Sequence, residues 1–131
     1  FMADHPNLTI MRRALDAFRA GDAAALSQLF SEDVVWRVPG RSVLAKEYRG
    51  QAEVFGFFGK LMEMTGGTFA VESIDMLAND REGVFVDRVT AEREGRKLSV
   101  ELLLRVRIRD GQIIEGVDHF HQEYLWDAFW E

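Results

Sequence analysis

Cysteine is absent from the 131 residues, which excludes disulfides, thiolate nucleophiles and cysteine-ligated zinc and suits a reducing cytoplasm. Positive charge is in deficit: 16 Lys and Arg stand against 22 Asp and Glu, for a formal net charge of −6. The arginines are interspersed with carboxylates, so no basic stripe exists to track a phosphate backbone, and nucleic acid is not an expected partner. No apolar run approaches the roughly 18 residues of a membrane span, so no membrane partner is expected. The start also lacks the charged-then-apolar pattern of a secretion signal. Internal repeats, low-complexity tracts and linkers are missing too. Phe1 ahead of Met2 reads as a cloning remnant, with the native chain expected to begin at Met2.

What is present is the composition of a folding chain, 47% hydrophobic and 29% charged. Its length fits one domain, 1–131, with residues 1–6 as an N-terminal arm. Leu8, Met11, Leu15 and Phe18 recur at helical spacing until Gly21, and Asp22 is a good N-cap for a second helix, DAAALSQLF. VVWRV reads as a short strand ending at Pro39-Gly40, and RSVLAKEYRG as a loop. Val54, Phe58, Leu61, Met62 and Thr65 then mark a third helix, closed by Gly66-Gly67. From Thr68 the period becomes two, and turn signals at 78–80, 94–96 and 109–111 divide the remainder into four antiparallel strands. Helices first and a sheet afterwards make the class α+β.

The clearest strand is 97–109, where Leu98, Val100, Leu102, Leu104, Val106 and Ile108 alternate with polar residues. A two-residue turn around Gly95 gives one parity whichever pair occupies its tip. Phe85, Val89 and Ala91 then share the apolar face of 98–108, and Asp87 goes in with them. A carboxylate among such neighbours should have a raised pKa, unless it sits at a sheet end and reaches water or a backbone N–H. The last strand, in GQIIEGVDHFHQEYLWD, leaves two registers open. A regular hairpin at Asp110-Gly111 sends Glu115, His119 and His121 inward; a single bulge, for which Gly116 is a natural residue, sends Gly116, Asp118 and Phe120 inward instead.

The order of elements, with LFSEDVVWRVPG after the helical hairpin and DGQIIEGVDHF near the end, resembles the nuclear transport factor 2-like superfamily over about residues 7–127. Its SnoaL-like, ketosteroid-isomerase-like and limonene-epoxide-hydrolase branches are the nearest in pattern. The resemblance implies a cone-shaped, cystatin-like fold: three N-terminal helices on a curved, mostly antiparallel sheet, with an apolar pocket inside and a homodimer partner on the outer sheet face. GVDHF is similar to the hydrolases' GWRDYF, which implies that Asp118 and Asp87 occupy the positions of their two catalytic aspartates and favours the bulged register. Phe120, Leu102, Val100 and Val89 would wall the pocket. The chain departs from the hydrolases in having Phe85 where they carry an arginine, and VVWRV where they carry a tyrosine and an asparagine. It departs from the steroid isomerases at Ala14, Val38 and Leu104. SnoaL-type cyclases rely on a late aspartate to which Asp118, or the His121 position, would correspond.

Two carboxyls in one apolar cavity can share a proton, one serving as general acid and the other as base, for cyclisation, isomerisation, dehydration or hydrolysis without a cofactor. The competing reading of Asp118 is a buried aspartate that holds the Trp36 or Tyr48 ring. Trp36, Tyr48, Phe58 and Phe120 can floor a site for a small hydrophobic molecule, or be plain core. His119 and His121 have strand spacing for one metal but lack a third ligand, so no metal is expected. YLWDAFW is too apolar to be left in water and should close the cone as a lid or cover the outer sheet. The alternative to an enzyme is a non-catalytic ligand-binding or assembly domain.

Overall fold

A computed structural model describes residues 4–131; the expectation about Phe1 and Met2 lies outside the described residues. Helix α1, Pro6–Ala20, starts where the Nδ1 of His5 accepts the Asn7 N–H at 3.1 Å and Pro6 fills the first turn, so the last two residues of the expected arm form the helix start. It stops at Gly21, whose φ of 65° is the left-handed cap that glycine adopts without strain. Asp22 caps α2, Ala23–Leu29, by accepting the Ala25 N–H at 3.1 Å. Strand β1, Phe30–Val38, is longer than VVWRV alone.

The loop expected at 41–50 contains a strand, β2, Lys46–Arg49, which pairs with β1 in the register Trp36↔Tyr48. KEYR has no apolar alternation; pairing to β1 makes it a strand. Then come α3, Gly50–Met64, and the meander β3, Ala70–Ala78, β4, Glu82–Arg93, β5, Arg96–Arg109, and β6, Gln112–Phe120. The sheet order is β2-β1-β6-β5-β4-β3, antiparallel except for the parallel β1–β6 pair. Both long hairpins turn on two residues with positive φ, Glu94-Gly95 and Asp110-Gly111, whose twist matches the strands they join.

Register shifts interrupt three of the ladders and bend this sheet, one of them in β1 between Phe30 and Val35. β3 carries one extra residue at Ile74, and β6 one at Ile114, because Ile113 pairs with Ile108 while Glu115 pairs with Arg107. The bulged register is therefore the one adopted, two residues before Gly116. The curved sheet wraps the helices as an α+β cone, and Met11, Val34, Val54, Val89, Val106 and Trp126 lie in its core. A fourth helix, α4, Glu123–Phe129, follows β6 and packs on β5 and β6 with Trp126, Phe129 and Trp130 buried. It closes the cone; it does not cover the outer face.

Candidate active site

Asp87 is carried by the parity of β4. It stands between Phe85 and Val89 on the inner face and opposite Leu102 of β5 and Ser73 of β3, leaving only 2% of it exposed. Its Oδ1 is buried without a hydrogen-bond partner. Loss of hydration pushes its pKa up to about 6, against the charge of Arg19, which lowers it.

Asp118 is carried by the bulge. The extra residue at Ile114 shifts the parity of everything after it, so Gly116 and Asp118 turn inward, with Asp118 opposite Leu104 and 6% exposed. Burial pushes its pKa up to about 7; hydrogen bonding from the Trp36 side chain pulls the other way, and the charge of Asp87 adds to the rise. Gly116 pairs with Trp36 across the parallel β1–β6 ladder, and a Cβ there would meet the ring's Cε3. The glycine thus lets the indole lie against β6, on the same cavity wall as Asp118.

Asp87 and Asp118 both line one cavity of about 80 Å³ whose other walls are apolar. Trp36, Phe58, Val89, Leu102 and Phe120 line it as well. Tyr48 and Val100 do not. The Tyr48 hydroxyl donates to the Leu44 carbonyl at 2.7 Å and its ring stacks on Phe57 at 4.7 Å, outside the cavity, and Val100 is plain core. Rings not expected on the pocket wall complete it. Phe18 of α1 meets Phe58 edge-on at 5.3 Å, and Trp126 of α4 stacks on Phe120 at 4.2 Å. The helical face carrying Phe18 was legible as core, and of the two places open to the apolar YLWDAFW, lid or outer cover, it takes the lid, with Trp126 on the cavity wall.

Ala14, Leu104 and Phe85 also lie on the wall, apolar where the resemblance implies polar groups in relatives with other chemistries, so among the described residues the two aspartates are its only ionisable members. His119 is exposed on the outer face and His121 lies beyond the strand end. Among the described residues no three His, Asp or Glu side chains are grouped to hold a metal ion.

The SnoaL-like domain family matches residues 11–116, and the chain belongs to that family. An uncharacterized protein of Mycobacterium tuberculosis is 32% identical over 130 residues, covering 98% of this chain and 99% of its own. Among solved structures, Bal32a from a soil-derived mobile gene cassette superposes with a TM-score of 0.93 at 36% identity, covering 96% of this chain and 97% of its own. A protein of unknown function with a cystatin-like fold from Xanthomonas campestris superposes at 0.87 with 31% identity, covering 94% and 96%.

Proposed function

We propose that the protein binds a small hydrophobic molecule in this cavity and moves protons on it without a cofactor, Asp118 acting as general acid and Asp87 as general base. The observation that carries the reading is the convergence of two buried carboxyls, from β4 and β6, on one apolar cavity. Desolvation poises both near neutrality, where an acid and a base are each effective. The size of the space bounds the ligand. At 10–15 Å³ per water it holds about six waters, which corresponds to a molecule of about one ring. On an enolisable ketone, the Asp87 carboxylate takes an α-proton and the C–H electron pair becomes the C=C bond. The carbonyl π pair then takes the Asp118 proton. Reprotonation elsewhere gives isomerisation, loss of a β-substituent gives elimination, and attack on a second carbonyl gives cyclisation.

A second reading, ligand binding without turnover, is favoured by the aromatic character of the wall. Cyclohexanone in D₂O separates the two. On the enzyme reading the protein accelerates α-proton exchange seen by NMR, and Asp118→Asn and Asp87→Asn each lose about 10²-fold or more of it. Saturation transfer to the ketone with no exchange, or exchange unchanged in both variants, would favour binding alone.

The same proposal includes a homodimer through the outer sheet face. Leu77, 57% exposed, and Leu103, 48% exposed, stand there beside Val84, Val86 and Val117. The Arg105–Glu82, Arg37–Glu115 and Arg88–Glu101 pairs flank this strip with both signs of charge, which a second copy related by a twofold axis can match.

A further inference from the structure

Arg19 is not on the cavity wall, yet its charge lowers the Asp87 pKa. It lies in the last turn of α1, directly after Phe18, which lines the cavity, and its Nη2 donates to the Val71 carbonyl at 2.6 Å. Val71 is itself a wall residue, on edge strand β3, opposite Val89 and two residues from Ser73, the cross-strand partner of Asp87. The guanidinium is thus fastened at the edge of the cavity, on the side where Asp87 enters. It forms no ion pair among the described residues, although eleven Arg–, Lys– or His–carboxylate pairs occur elsewhere. An exposed cation tied to a backbone carbonyl, with its charge not spent on a neighbouring carboxylate, remains free to bias a nearby buried anion, within the limits of solvent screening.

We infer that Arg19 is a positioning residue: anchored on Val71, it keeps Asp87 as the ionised member of the pair and leaves the shared proton on Asp118. This rests on the acid–base reading above and assigns its two roles. The surroundings leave few competitors. Around Asp87, β6 offers Asp118, whose charge repels, and β5 offers the apolar Leu102. On β4 itself, Arg88 points to the outer face, where it is paired with Glu101 of β5. On β3, Ser73 is uncharged and Glu72 is exposed, and on α1 Asp16 is exposed. Arg19 is tied to β3, next to the strand that carries Asp87 and three strands from the one that carries Asp118, and its charge lowers the Asp87 pKa while desolvation carries that of Asp118 to about 7. A pair so divided presents a ready base and a ready acid together; without the division, each ligand would meet either arrangement.

Carboxyl ¹³C NMR titration from pH 4 to 9 tests this without a substrate, on the full chain and on Arg19→Gln and Arg19→Lys. In Arg19→Gln the Asp87 midpoint should rise by about half to one pH unit, and Arg19→Lys should restore most of it. A residue that merely pins the β3 edge would lower the melting temperature and leave the midpoint in place. Should Arg19→Gln fail to fold, salt gives the same answer on the unaltered protein: between about 0.02 and 0.5 M NaCl the Asp87 midpoint should rise as the exposed guanidinium is screened. A midpoint near 6 that neither Arg19→Gln nor salt moves overturns the inference and leaves the acid–base site standing. Two carboxyls both titrating near 4 in the unaltered protein overturn the site, and the inference with it.

Discussion

Replacing Asp118 with asparagine should make the protein more stable at alkaline pH, and the size of the effect follows from its burial. The folded-state pKa is raised from 3.8 to about 7, so the native chain holds this proton more tightly than the unfolded chain does. The sign is therefore the reverse of that for a salt-bridged aspartate. The contribution of the group to stability is fully present below about pH 4, declines as pH rises, and is lost as pH passes through 7. A difference of about 3 pH units corresponds to about 4 kcal/mol in all, of which about 3 kcal/mol falls between pH 5 and pH 8. Asparagine keeps the shape and never ionises, so it should match the wild type below about pH 4 and exceed it by about 4 kcal/mol at pH 8. Urea denaturation followed by tryptophan fluorescence at each pH measures both curves. Their difference cancels the titration of groups the substitution does not touch, apart from Asp87, whose coupling to Asp118 changes with it. An asparagine variant that is less stable than wild type at pH 8, with an unchanged pH slope, would refute the claim that the cone buries this carboxyl at a cost.

Gly116→Ala should destabilise by about 1–3 kcal/mol in thermal melts, because the new methyl overlaps the Trp36 ring; an unshifted melting temperature would mean that the indole does not lie against β6. Asp127 accepts the Arg41 and Ser42 backbone N–H groups, at 3.0 and 3.3 Å, and so ties α4 to the loop after β1. Asp127→Ala should cost about 1–2 kcal/mol and speed hydrogen exchange in α4 ahead of the sheet; uniform exchange behaviour would show that the helix needs no such tie. On the proposed dimer, the unaltered protein should have a dimer's mass by light scattering and Leu103→Glu a folded monomer's; the same mass for both would remove the outer sheet from the assembly.

Much of the fold was legible because periodicity is a local property. The spacing of Leu8 to Phe18, the alternation along 97–109 and the glycines at 21 and 95 each dictate structure within a few residues. The inward turn of Asp87 followed from strand parity alone. For Asp118 the residues admitted two registers, and resemblance favoured the one adopted; the bulge falls at Ile114, and Gly116 lies under the Trp36 ring. Elements defined by partners were not legible. β2 is a strand only because β1 is beside it, Tyr48 is drawn out of the cavity by the Leu44 carbonyl, and Trp126 reaches the pocket only once α4 folds back over β5 and β6. Arg19 escaped notice for the same reason, since its significance lies in Val71, 52 residues away along the chain.

The central claim is that two carboxyls share one apolar hollow and are held near neutrality there. Following the side-chain carboxyl resonances of Asp87 and Asp118 in the unaltered protein tests it most directly. The account predicts coupled midpoints close to 6 and 7; two independent midpoints near 4, the range of solvated aspartates, would contradict it.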